Sequence, residues 1–187
     1  VRSTIRGNDN ITEKDKTLPE TAPLSPEDII QLLHLTPLTE EGGMVAETYT
    51  SEEIYKNRRC GSAIYYMLTR DSFSHLHMLS ADEVWHFYYG DPVELIQIRD
   101  CDGRKTVSVL GTDLRNGERP QILVEKNSWQ GARLLPGGKS GFALMGTTMS
   151  PSYLEGDFIR ADRESMIRRF PEHEEEIKKL TGRLVYR

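Results

Sequence analysis

Cysteine is scarce in this chain: there are two in 187 residues, Cys60 and Cys101. They fall into no Cys-x-x-Cys or Cys/His spacing, so neither a thiolate metal centre nor a dithiol redox site is encoded. Two isolated thiols read as buried and reduced, in a reducing compartment. Positive charge is also short, with 24 Lys and Arg against 29 Asp and Glu and a net charge of −5. The basic residues are scattered and form no stripe, which argues against nucleic acid as a partner. No apolar run approaches the roughly 20 residues of a membrane-spanning helix. Residues 1–23 lack the apolar middle of a secretory signal, so a cytoplasmic location is the default expectation. No internal repeat is visible.

What remains is a chain of one-domain length with 37% hydrophobic residues, enough for a single core. Residues 1–24 are polar and read as a flexible segment, 25–182 as one folded domain, and 183–187 as a tail. Ser25-Pro26-Glu27-Asp28 has the order of a helix start: a capping hydroxyl, a proline at the first helical position and an acid three residues after the cap. Pro37 ends that helix. The adjacent glycines Gly42 and Gly43 mark a left-handed turn or a close backbone approach before a strand over 44–50. Further strands are expected over 64–69, 93–99, 106–110, 121–124, 132–135 and 142–149. Asp102-Gly103 and Asn116-Gly117 supply turns. Many short strands with turn signals about every ten residues point to a β sandwich or barrel. Residues 162–170 and 172–180 read as two helices covering its outside. His34 reads as a surface or capping group, and His173 as a solvated residue in an acidic helix start.

The chemistry concentrates in residues 75–90, which hold three of the five histidines, two acids and four aromatics. The stretch reads as two strands joined by the polar turn Ser80-Ala-Asp82. Alternation along a strand places His75 and His77 on one face, and Glu83, Trp85, Phe87 and Tyr89 on one face of the next strand. The same alternation sets His86 opposite Glu83. Aromatics on both faces suit the wall of a closed β structure with a lined interior.

His75-x-His77, Glu83 and Gly90 resemble the first motif of the cupin superfamily. The run Ser80-Ala-Asp-Glu-Val-Trp-His-Phe-Tyr-Tyr-Gly-Asp-Pro92 is similar to one subgroup of it, the uncharacterised cupin-5 family. Glu41-Gly-Gly43 with Glu47-Thr-Tyr49, Ser128-Trp-Gln-Gly-Ala132, and Ala161-Asp-Arg163 with Phe170-Pro-Glu-His173 agree in order. The resemblance implies a mostly β fold, a double-stranded β-helix or jelly roll, with one helix before it and two after it. It also implies a homodimer.

Three chemistries are open to these residues. His75, His77 and Glu83 are a possible metal set, with Gln130 where many cupins add a fourth ligand; a divalent transition metal, serving oxygenase-like chemistry, is the cofactor this admits. Without metal, His77 or His86 beside Glu83 would act as a general base or acid, as in a sugar-type epimerase or isomerase. The reading preferred here is binding: a small molecule of sugar or nucleotide type held in the barrel mouth. Trp85, Phe87, Tyr89 and Trp129 would be its walls, and Gln130 with His77 and Glu83 would orient it.

Overall fold

The computed structural model describes residues 23–184. The flexible segment expected over 1–24 and the tail expected over 183–187 lie largely outside the described residues. Helix α1 spans Pro26–Leu32. The Ser25 hydroxyl accepts the Asp28 N–H at 3.1 Å, and the Asp28 carboxylate accepts the Ser25 N–H at 2.9 Å, closing a capping box. Ile29 then buries against Met44, Met67, Phe142 and Leu144.

Thirteen strands follow among the described residues: β1 (Thr36–Pro37), β2 (Met44–Thr50), β3 (Ile54–Tyr55), β4 (Arg58–Arg59), β5 (Ser62–Thr69), β6 (Phe73–Met78), β7 (Glu83–Gly90), β8 (Val93–Arg99), β9 (Lys105–Leu110), β10 (Gln121–Val124), β11 (Ser128–Leu134), β12 (Phe142–Met149) and β13 (Ile159–Arg160). One antiparallel sheet has the order β1-β2-β5-β12-β7-β10, and the other β13-β6-β11-β8-β9; β3 and β4 form a small separate hairpin. Consecutive strands from β5 to β8 fall in alternate sheets, so the chain winds between two layers. This is the jelly-roll connection that the resemblance implies.

That winding corrects the reading of residues 75–90 as a hairpin. β6 pairs with β11 and β13, while β7 pairs with β12 and β10. The turn at 80–82 carries the chain from one sheet to the other.

Tyr66, Leu68, Trp85, Val93, Leu95 and Met145 are among the side chains that fill the space between the sheets at one end. On the outer face of the five-stranded sheet, Leu76, Ile96, Ile98 and Trp129 meet Met166, Phe170, Ile177 and Leu180. The last four residues come from or directly follow α2 (Arg163–Arg169) and α3 (Glu174–Lys179), which form the expected outer cover. His173, expected to be solvated, is buried; its Nε2 lies 2.7 Å from the Gly103 carbonyl and ties the helix pair to the β8–β9 turn. His34 is exposed just past α1, with φ 53°. Cys60 and Cys101 are free and exposed rather than buried, because each sits in a connection and not in a strand facing the core. Among the described residues no helix is long and apolar enough to cross a membrane.

Candidate functional site

The site begins with Gly42 and Gly43. Both have positive φ, 105° and 71°. A Cβ on Gly42 would overlap the Phe73 carbonyl oxygen, and one on Gly43 would lie 2.7 Å from the Met67 carbonyl oxygen. The loop therefore lies directly on β5 and β6, an approach open only to glycine. The Tyr66 hydroxyl donates to the Gly42 carbonyl at 2.9 Å, and the His75 N–H to the Glu41 carbonyl at 2.7 Å. Burial, and then the Glu41 charge, push the Tyr66 hydroxyl well above its ordinary pKa, so it stays a donor. These contacts turn Glu41 inward. Its Oε1 accepts the Ser74 hydroxyl at 2.5 Å, and its Oε2 lies 3.9 Å from His77 Nε2.

Glu83 enters from β7 and is only 7% exposed. Its Oε2 accepts Gln130 Nε2–H at 2.6 Å and Trp85 Nε1–H at 3.1 Å. Gln130 Oε1 accepts the same indole N–H at 2.9 Å. Both ends of the Gln130 amide are thus used, which fixes its orientation. Burial raises the Glu83 carboxyl above its ordinary pKa, Glu41 adds to the rise, and His77, Thr147 and Gln130 oppose it. His77 stacks on Phe158 with ring centres 4.9 Å apart. Its Nδ1 lies 2.7 Å from the His75 carbonyl, so Nδ1 carries the hydrogen and Nε2 is the nitrogen that faces Glu41.

Glu41, Glu83 and Phe158 border a cavity of about 420 Å³ on the inner face of the six-stranded sheet. Leu38, Val45, Ile64 and Met149 give it an apolar side; Glu41, Glu83 and Thr147 give it a polar one. Residues 152–154 and Phe158 cover it. The cover is pinned through Asp157, which takes the Arg58 guanidinium, the Ser80 hydroxyl and the Leu154 N–H.

Of the residues expected from sequence, Glu83 lines the cavity, with Trp85 and Gln130 bonded behind it. His77 is buried beside Glu41 and Phe158. Phe87 packs on the inter-sheet core. Four others lie elsewhere. Gln130 pairs with His77 but Ala132 with Ser74, so β6 carries one extra residue. That bulge separates the two histidines: His75 stacks near Phe73, 6.2 Å between ring centres, and bonds the Leu76 carbonyl. A second bulge, with Met145 opposite Phe87 and Leu144 opposite Tyr89, turns Tyr89 outward to 45% exposure. Trp129 follows the parity of its strand, opposite to Gln130. It packs under the helices, and its indole donates to Asp100 at 2.7 Å. His86 lies on the outer sheet face, with Nε2 3.0 Å from the Thr148 hydroxyl and Nδ1 3.3 Å from Gln121 Nε2; burial lowers its pKa.

His75, His77, Glu83 and Gln130 therefore do not converge as one ligand set. Among the described residues no group of three or more His, Cys, Asp and Glu side chains is arranged to hold a metal. No chemistry through a metal follows from them. Glu41, Tyr153 and Phe158 were not expected in the site. The Gly42-Gly43 pair signalled a close approach but not what it would position; residues 152–158 follow the last long strand and carry no periodic pattern.

Two sheets wound as a jelly roll, with polar groups fixed beside a cavity on the inner face of one, define a protein of the cupin class. The family described as Cupin superfamily (DUF985) matches over residues 27–160, and the chain belongs to it. A Shewanella oneidensis protein of known structure is 34% identical, with a TM-score of 0.79 over 86% of this chain and 99% of its own. A hypothetical protein from Leishmania major is 26% identical, with a TM-score of 0.81 over 86% of this chain and 100% of its own. A Bacillus subtilis oxalate decarboxylase variant, 19% identical with a TM-score of 0.50 over 79% of this chain and 37% of its own, shares the fold. No curated protein matches the chain.

Proposed function

We propose that this cupin binds a small organic molecule in the cavity on the inner face of its six-stranded sheet. The observation that carries the reading is a cavity of about 420 Å³ whose polar side is held rigid. Its size falls within the range of ligand pockets, roughly 300–1,000 Å³. Glu83, Gln130 and Trp85 bond one another, and Glu41 is held by Ser74, so the polar groups are in place before a ligand arrives. The test is thermal denaturation of the wild type and of Ile64→Trp, which fills the cavity from β5, against a fragment library. Hits that raise the Tm of the wild type alone support the reading. Identical hit profiles for both proteins would remove it.

A second reading rests on the raised pKa of Glu83 beside Glu41. A carboxyl held up by burial suits a general acid, and a second carboxylate nearby suits its base. Incorporation of solvent deuterium into an added sugar-type substrate would support it; exchange unchanged in Glu83→Gln would not. The expected homodimer belongs to the proposal as well. The outer face of the six-stranded sheet exposes Tyr88 and Leu123 beside His86, and sedimentation velocity would report a dimer or exclude it.

A further inference from the structure

Resting on the reading of the cavity as a ligand site, we infer that its ligand is an organic cation: a small protonated amine whose ammonium group lies against Glu41 and Glu83. Four carboxylates line the cavity, those of Glu40, Glu41, Glu47 and Glu83. Arg59 is the one cationic side chain among the lining residues, and its Nη1 already donates to the Ser51 carbonyl at 2.7 Å. A phosphate or carboxylate ligand would enter a field of its own sign, which counts against a nucleotide.

The second observation is how the fold treats its other carboxylates. Asp157 is matched by Arg58, Glu94 by Arg133 and Glu176 by Lys105. Buried Asp91 instead accepts the backbone N–H groups of Ser140 and Gly141. Glu41 and Glu83 have no Lys or Arg partner among the described residues. The nearest ionisable nitrogen recorded for Glu41 is His77 Nε2, at 3.9 Å. Both N–H donors to Glu83 arrive at one oxygen, Oε2, and its remaining partner is the Thr147 hydroxyl. Two inward carboxylates without a counter-charge, on the wall of a cavity, are what an ammonium group would complete.

The rest of the lining suits the remainder of such a molecule. Val45, Ile64 and Met149 form an apolar side for a hydrocarbon or ring. Tyr153 and Phe158 place aromatic rings at the cover, where a cation gains from the ring face. The inference thus replaces a generic sugar or nucleotide-like ligand by an amine with an apolar body.

The experiment is calorimetric titration of the full chain at neutral pH with three probes of similar shape: phenethylamine, 2-phenylethanol and 3-phenylpropionate. Phenethylamine is expected to bind at least about tenfold more tightly than the alcohol, with the carboxylate weakest. Its Kd is expected to rise about tenfold or more in Glu41→Gln and in Glu83→Gln. Glu164→Gln, exposed on α2, is expected to leave it unchanged. Melting curves establish that each variant is folded. Amine binding that ignores Glu41→Gln, or an alcohol or carboxylate that binds as well as the amine, overturns the inference. If such a neutral or anionic probe binds and Ile64→Trp abolishes that binding, the cavity remains a ligand site and only the cation falls. If no probe binds at millimolar concentration, the inference falls too, and the fragment screen decides the wider reading separately.

Discussion

Gln130→Leu is the sharpest perturbation of the interior polar cluster. Leucine is similar to glutamine in volume, although it branches at Cγ rather than Cδ, so the change opens little space. What it removes is the Nε2–H donor 2.6 Å from Glu83 and the acceptor 2.9 Å from the Trp85 indole. A hydrogen bond to an ionised group contributes about 1.5–3 kcal/mol. The indole keeps Glu83 Oε2 at 3.1 Å, so its loss is smaller, about 0.5–1 kcal/mol. Together these give about 2–4 kcal/mol, or about 8 °C in Tm for a domain of this size. The loss depends on pH. The folded Glu83 carboxyl sits above its ordinary value, chiefly through burial and then through Glu41. Between the ordinary and the raised value the folded state holds the extra proton, so stability present at low pH falls as pH rises through the raised value. Removing a donor that favours the carboxylate raises the folded value further and deepens that fall. Urea unfolding followed by circular dichroism at about pH 5 and about pH 8 should therefore show the larger loss at the higher pH. Equal losses at both, or a loss below about 0.5 kcal/mol, would refute the assignment of Gln130 as the donor that holds Glu83.

Three further outcomes are expected. Gly42→Ala places a Cβ against the Phe73 carbonyl oxygen and 2.9 Å from Leu184 Cδ2, at a φ of 105°. It should cost about 3 kcal/mol or more, seen as a Tm lower by roughly 6–12 °C. Glu83→Gln should flatten the pH dependence, so that variant and wild type diverge in favour of the variant as pH rises through the raised value; parallel stability curves would count against a titrating Glu83. Asp157→Asn weakens the pin to Arg58 and Ser80 and should speed hydrogen exchange across residues 150–158 while strands β8 and β11 stay protected.

Where local chemistry decides an element, the chain could be read directly. The Ser25 cap, the strands at 44–50, 93–99, 121–124 and 142–149, and the helical cover all stand where periodicity and turn residues put them. Where the decision is made by a distant partner, it could not. The stretch at 75–90 has the pattern of a hairpin, yet its two halves choose β11 and β12 as neighbours. Neither bulge in β6 and β7 has a glycine or proline at the extra residue itself to announce it, and each reverses the face of every residue beyond it. That shift turns His75 and Tyr89 away from the space between the sheets, with His75 still buried and Tyr89 exposed. Gln130 is placed inside through the family resemblance, because the strand expected over 132–135 in fact begins at Ser128; parity along that longer strand sets Trp129 outside. Glu41 was hidden because its role depends on two glycines pressing against strands far along the chain.

The central claim is that the cavity bounded by Glu41 and Glu83 is a ligand site. Native mass spectrometry of the full chain tests it most directly, after incubation with a mixed set of small amines, alcohols and acids, in parallel for wild type and Ile64→Trp. The account predicts a wild-type adduct of one small organic mass per chain, drawn from the amines, lost on denaturation and missing from Ile64→Trp. Mass profiles that are the same for both proteins would contradict it.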